Sequence, residues 1–289
     1  RYADIRRRLL DARSARPQPA RDDKVVTAWN AMAVTALAEA GAASGHPDWV
    51  ELAVEVLTEL LDNHLVDGVL RRSSLGGLVG TPVAALDDHA ALITAMLTVY
   101  QITGEQRWCE QGLALLDTTI DTFADPDEQG AWFDAASDSL IARPRDPADG
   151  ATPAGASLIA EAALIASAIA RMGPATRYAS IVDATLARGA VLLAKVPRSA
   201  GHWLAVAEAR QGGPLQIVVA EDSRTDGELA RAARRLAPGG AIIVSGGRDE
   251  QPLLDGRGPV GGRDAVYVCR GTVCDLPTTS AAELASKLG

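Results

Sequence analysis

Apolar residues recur at helical spacing in eight stretches: Tyr2 to Arg13, Val25 to Ala42, Trp49 to Leu61, Ala90 to Ile102, Trp108 to Ile120, Ala154 to Ala170, Tyr178 to Leu193 and Ser199 to Ala209. Gly, Pro and Asp clusters between them suit caps and turns. Three of the joints share one form, a Gly stop, a polar step and an aromatic opening the next helix: Gly45 to Trp49, Gly104 to Trp108 and Gly173 to Tyr178. They repeat at intervals of 59 and 69 residues, the length of two helices with their loops, so the repeating unit is a helical hairpin. The expected architecture is mainly α, with helices alternating between an inner and an outer layer. From about residue 213 the pattern changes. Leu215 to Ala220, Ala241 to Ser245 and Ala265 to Cys269 are short β-branched runs, and Asp226 to Leu236 and Ala281 to Leu288 read as helices. This predicts a toroid-like helical part over 1–212 and a small α/β region over 213–289, with Gly246 to Arg263 as a flexible connection inside the latter.

A polar cluster precedes the first helix of each hairpin: Asp22-Asp23-Lys24, then Asp87-Asp88-His89, then Asp149-Gly150-Ala151-Thr152-Pro153. Equivalent ends of repeated hairpins point the same way, so these clusters are expected to gather at one mouth. Acidic residues there also cap helix N-termini and complement the helix dipole; capping and a functional cleft both remain open.

Composition narrows the function classes. The chain has 289 residues, 47% apolar and 22% charged, with a net charge of -9. An acidic chain whose longest basic run is Arg6-Arg7-Arg8 offers no footprint for nucleic acid or an anionic membrane. The most apolar stretch, Ala154 to Ala170, carries Glu161 and is too short to span a bilayer, which takes about 20 residues. With no initiator Met and no signal-like segment at Arg1, the sequence reads as a processed product or a piece of something longer. Three cysteines are too few for a disulfide-stapled secreted fold and point to a reducing cytoplasm.

Five ordered motifs resemble one family. Asp22-Asp23-Lys24-Val25-Val26-Thr27-Ala28-Trp29-Asn30, Leu86-Asp87-Asp88-His89-Ala90, Gly130-Ala131-Trp132-Phe133-Asp134, Asp149 through Ser157, and Tyr267-Val268-Cys269 through Cys274-Asp275-Leu276-Pro277 are similar to the signatures of the thioredoxin-domain-containing family that includes the bacterial YyaL proteins and spermatogenesis-associated protein 20. The resemblance implies an α/α toroid of the six-hairpin glycosidase and N-acylglucosamine 2-epimerase type, preceded by a thioredoxin-like domain. That upstream domain and the first helices of the ring are absent from this sequence, so the chain would carry roughly the last two thirds of a toroid. It departs from the pattern at Ala31, His89 and Ala156, where the family signature has Gly, Tyr and Asn.

Paired carboxylates at a cleft mouth are what glycoside chemistry requires, one held protonated and one ionised. Asp23 and Asp88 are the favoured pair, with Asp22, Asp87 and His89 beside them. Lys24 is a candidate partner for Asp88 or for a ligand oxygen, and it is one of three lysines in the chain. Trp29 and Trp132 are either sugar platforms or core, and Asn30, Asp149 and Ser157 are candidate ligand contacts. A two-histidine epimerase mechanism is disfavoured, since of His46, His64, His89 and His202 only His89 sits at the expected mouth. No cluster has metal-ligand spacing and no dinucleotide fingerprint occurs, so neither metal nor cofactor is expected. Cys269 and Cys274 are candidates for redox chemistry, but flanking β-type sequence and a reducing compartment favour buried free thiols. Two functions follow as expectations: a hydrolase or isomerase acting on a small sugar, or a non-catalytic scaffold working with the thioredoxin-like segment.

Overall fold

The structure, a computed structural model, describes residues 1–136, 142–221, 227–247, 251–271 and 273–288. It opens with α1 (Tyr2–Ser14), then β1 (Lys24–Val26), α2 (Thr27–Ser44) and α3 (Pro47–His64). Four short strands follow, β2 (Leu65–Val66), β3 (Val69–Leu70), β4 (Ser73–Leu75) and β5 (Leu78–Val79), and then α4 (Leu86–Thr103), α5 (Gln106–Phe123), α6 (Gly155–Ile169), α7 (Met172–Lys195) and α8 (Gly201–Gly212).

The helices form three hairpins, α2 with α3, α4 with α5 and α6 with α7, and α4 packs against both α2 and α6 to make the inner layer. Helices α4 and α6 are apolar on nearly every side and are buried along most of their length, as all-round hydrophobic helices are when flanked by neighbours. The outer helices bury one stripe each, for example Ala53, Leu57 and Leu60 of α3 and Trp108, Gly112, Leu116 and Phe123 of α5. The result is the open arc of an α/α toroid. Left-handed glycines end α2 and α4 at Gly45 and Gly104, each donating its N–H back to the carbonyl four residues earlier, which is the sharp stop the repeated joints require.

The expected helix from Val25 begins two residues later, because Lys24–Val26 pairs antiparallel with Ser73–Leu75. Helix α1 forms where expected but buries none of its residues. The small sheets between α3 and α4 have no counterpart in the expectations, since two- and three-residue strands leave no periodic signal.

The C-terminal region contains β6 (Leu215–Ala220), α9 (Glu228–Leu236), β7 (Ile242–Gly246), β8 (Ala265–Arg270), β9 (Val273–Cys274) and α10 (Ala281–Leu288). Its sheet has the order β7-β6-β8-β9, with β6 and β7 parallel and the other pairs antiparallel. One face, with Ile217, Val219 and Val268, packs on Leu229, Ala233 and Leu284 of the helices; the other, with Val218 and Val244, covers Leu254. Asp226, the expected start of α9, and residues 248–250 of the expected flexible connection lie outside the described residues.

The sheet is fastened to the arc. Arg234 donates to the Gln101 carbonyl at 2.9 Å, Arg235 to that of Ala43 at 3.1 Å, Gln216 to that of Ala168 at 2.8 Å, and the Ile243 N–H to the Gln101 side-chain oxygen at 3.0 Å. Among the described residues no helix is long and apolar enough to cross a membrane.

Candidate functional site

The three polar clusters divide. Asp88 is fully buried at the start of α4 and both of its carboxylate oxygens are occupied. The Ala28 N–H donates to one at 3.0 Å; the Ala85 N–H at 2.9 Å and Arg72 at 2.7 Å donate to the other. Arg72 also donates to Asp87 at 3.0 Å. Burial, with the Asp87 charge adding, pushes the Asp88 carboxyl up to about 6 against the pull of those donors. Asp88 therefore joins the starts of α2 and α4.

The expected partners of Asp88 are elsewhere. Asp23 is exposed and held by Arg21, and Lys24 reaches Asp22 at 3.0 Å. Arg72, which precedes β4, takes the place proposed for Lys24 because β1 runs antiparallel to β4 and sets Lys24 opposite Leu75. The Asp23–Asp88 acid–base pair thus has no shared cleft: one acid is in solvent, the other is saturated. His89 is nearly buried, with Nδ1 2.9 Å from the Ala85 carbonyl and its ring tilted on Phe123. Burial lowers its pKa, so it is a neutral core histidine.

Trp29 is 59% exposed, which removes the core reading for it, whereas Trp132 is buried and donates its indole N–H to Thr185 at 3.0 Å. Asn30 is half-buried and donates back to the Val26 carbonyl at 2.9 Å. Asp87 and the 150–155 turn line one shallow depression with Arg72, Asp134 and Asp146, so the second and third clusters meet while Asp22 and Asp23 stay outside it.

A more chemically organised place lies between the helices and the C-terminal region. Two adjoining hollows of about 380 and 200 Å³ share Glu39, Thr98, Gln101 and the 239–241 backbone. Helices α2, α4, α6 and α8 supply Thr35 and Glu39, Thr94, Thr98 and Gln101, Glu161, and His202. Segment 237–243 and Arg234 close the other side. Protein crowding and the nearby Glu161 charge raise the pKa of Glu39, with Arg234 opposing. Burial pushes the Arg234 guanidinium down to about 10, against the charges of Glu39 and Glu221. The buried Thr94 hydroxyl oxygen has no hydrogen-bond partner among the described residues.

Behind His202, which lines the groove, two of the sequence candidates form a hydrogen-bonded chain that does not itself line it. Asp149 accepts from the Ala154 N–H at 2.9 Å, from the Ser157 hydroxyl at 2.9 Å and from the His202 N–H at 2.8 Å. The Ser157 oxygen is 3.0 Å from His202 Nδ1, and His202 Nε2 is 3.3 Å from Glu161. Burial works against a charge on His202, but the Glu161 carboxylate and the Asp149 charge outweigh it and the pKa is raised. A raised folded value means the imidazolium adds stability that is complete below the unfolded pKa and is lost as pH rises through the folded one. The stability advantage of the wild type over His202→Gln is expected to shrink between pH 6 and pH 9, read by urea unfolding at a series of pH values.

Glu39, Glu161, Arg234 and His202 escaped the sequence analysis as site residues. A single acid on a helix usually reads as a solvated face; the usable signal was Glu161 standing alone in the apolar 154–170 stretch. Cys269 and Cys274 are directly opposite each other on β8 and β9 and are joined by a disulfide, which corrects the expectation of free thiols. Register, invisible in the spacing, brings the two sulfurs together. Cys109 is free and buried. Among the described residues no group of three or more acidic, His or Cys side chains is arranged to hold a metal ion.

No protein-family model matches the chain. Spermatogenesis-associated protein 20 of Mus musculus is 27% identical over 302 aligned positions covering 96% of this chain, and that of Homo sapiens is 26% identical over the same share. The similarity to these two proteins runs along nearly the whole of this chain, which spans 37% of their length. A solved GH76 α-mannanase from Bacteroides thetaiotaomicron is 17% identical, with a TM-score of 0.47 over 61% of this chain and 46% of that one.

Proposed function

We propose that the groove binds a small sugar and performs acid–base chemistry on it, with Glu39 as the acid and Glu161 as the base. The observation that carries this reading is the unlike setting of the two acids: crowding and the Glu161 charge raise the pKa of Glu39, while Glu161 is paired with His202 at 3.3 Å. Two carboxyl groups in unlike surroundings are the usual basis for dividing the labour between acid and base. The rest of the lining fits a polyhydroxylated ligand. Thr35, Thr98, Gln101 and the unpartnered Thr94 oxygen offer hydrogen-bonding groups, and Arg234 and His202 supply donors of fixed position.

The test is a thermal-shift screen of monosaccharides and disaccharides on the wild type, Glu39→Gln and Glu161→Gln, followed by turnover assays with any sugar that binds. A ligand that binds only the folded state raises the melting temperature by mass action. The expected result is a shift that Glu161→Gln abolishes, and turnover that falls about 10²–10⁴-fold in Glu39→Gln, the usual contribution of a general acid. A sugar-induced shift that both variants keep would place the ligand elsewhere and end this reading. Binding that is lost in both variants, with no turnover in the wild type under any condition, would favour the non-catalytic module instead. That reading draws support from α1, which leaves Tyr2, Leu9 and Leu10 exposed.

A further inference from the structure

The cysteines of the Cys269–Cys274 disulfide do not line the groove, and the surroundings of the bond are not those of an inert staple. It links two residues directly opposite on the β8–β9 hairpin, so it closes a loop already held by sheet pairing. Closing so short a loop removes little conformational freedom from the unfolded chain, and the bond adds correspondingly little stability. Cys269 is completely buried while Cys274 is exposed, so one sulfur faces solvent and the other faces protein. Val273 and Leu276, on either side of Cys274, are 71% and 84% exposed and do not shield it.

Above both sulfurs sits Arg257. Its Nη2 is 3.3 Å from the Cys274 sulfur and 3.8 Å from that of Cys269, and its Nη1 is fixed by the Leu253 carbonyl at 2.6 Å. A guanidinium placed there gives little to a neutral disulfide, but it stabilises a thiolate, and thiolate stability governs how readily a sulfur leaves.

From this geometry we propose that Cys269–Cys274 is a site of thiol–disulfide exchange with a dithiol reductant, in which Arg257 holds the leaving thiolate. One thiolate of the dithiol attacks the exposed Cys274 sulfur. A sulfur–sulfur bond forms to the reductant, the Cys269–Cys274 bond breaks, and its electron pair leaves on the Cys269 sulfur beside Arg257. The second thiol of the reductant loses its proton and attacks its own partner sulfur in the mixed disulfide, and the Cys274 thiolate is released. Two electrons pass from the dithiol to the protein, the dithiol ends as a disulfide, and each protein thiolate takes up a proton according to pH. Reduction removes the covalent tie between β8 and β9 and leaves the backbone pairing of β8 with β6 and β9 in place.

The experiment follows free thiols in the native chain during incubation with dithiothreitol at pH 7, with Cys109→Ala as background so that only the pair is counted. The expected result is two thiols gained while the circular dichroism stays native, with the rate about tenfold lower in Arg257→Gln and largely kept in Arg257→Lys. A second measurement stands apart from any folding defect. In the reduced protein, the pH midpoint of alkylation by iodoacetamide is expected below the ordinary free-cysteine value of about 8.5 and should rise in Arg257→Gln. Reduction that occurs only in urea, an Arg257→Gln variant that reacts as fast as the wild type, or a chain that holds two free thiols before any reductant is added would each overturn the proposal.

Discussion

Replacing Asp88 with Ala is expected to cost about 3 kcal/mol of unfolding free energy, because removal of one partner leaves the other groups of a buried network uncompensated. Three donors converge on this carboxylate, the N–H groups of Ala28 and Ala85 and the Arg72 guanidinium. The two N–H groups belong to the first turn of α2 and the residue before α4, where no intrahelical acceptor is within reach. Ala supplies nothing to them, so the starts of two inner helices lose their common anchor. Chemical denaturation at pH 7.5 reads the loss directly, and a cost under about 0.5 kcal/mol, the scatter of ordinary surface substitutions, would remove Asp88 from this role. Asp88→Asn keeps one acceptor and separates charge from shape. The folded carboxyl at about 6 lies above the unfolded value of about 3.9, so ionising it inside the protein opposes folding. The stability of the wild type relative to Asp88→Asn should accordingly be greatest below pH 4 and decline as pH rises through 6.

The second large effect is expected at Gly189, on the inner side of α7. A Cβ there would lie 2.4 Å from the Trp203 ring, well inside contact distance. Trp203 cannot move aside freely, since it is buried and its indole N–H is bound to the Pro147 carbonyl at 2.7 Å. Gly189→Ala should cost about 1–3 kcal/mol, the usual range for overpacking a filled core. The neighbouring residue is His202, so displacement of α8 also disturbs the Ser157 and Glu161 contacts and should weaken any sugar-induced thermal shift. The double variant Gly189→Ala/Trp203→Phe, measured as a thermodynamic cycle, should show coupling beyond the sum of the single changes. Strict additivity would mean that the close approach carries no energy.

The hairpin arc was legible because its evidence is local and repeated. Apolar periodicity marks each helix, and Gly45 and Gly104 end theirs in the left-handed conformation that favours glycine. The motif resemblance added the toroid, and the starts of α2, α4 and α6 fall where polar clusters were found. Chemistry was less legible. Asp88 stood out in its motif, but its partner Arg72 lies 16 residues earlier on a hairpin too short to leave a pattern. Glu39 and Glu161 are 122 positions apart, the difference of their numbers, and it is the packing of α2 and α6 against α4 that brings both to one groove. Ser157 and Asp149 were identified as candidates, yet as ligand contacts; the structure uses them to hold His202. In each case the decisive partner comes from a distant segment, and spacing along the chain is silent about that.

The seam between the arc and the C-terminal sheet runs through the groove. Segment 237–243 lines one side, Ile243 bonds to Gln101 from the same side, and Gly240 approaches so closely that a Cβ would fall 2.2 Å from that of Ala209. Neither half of the molecule owns the cavity. Residues of both regions line it, so a ligand that fills the cavity touches the helices and the sheet segment at once. A recombinant hybrid that took its helices from one relative and its sheet from another would have to inherit a matched pair of surfaces to keep the cavity at all.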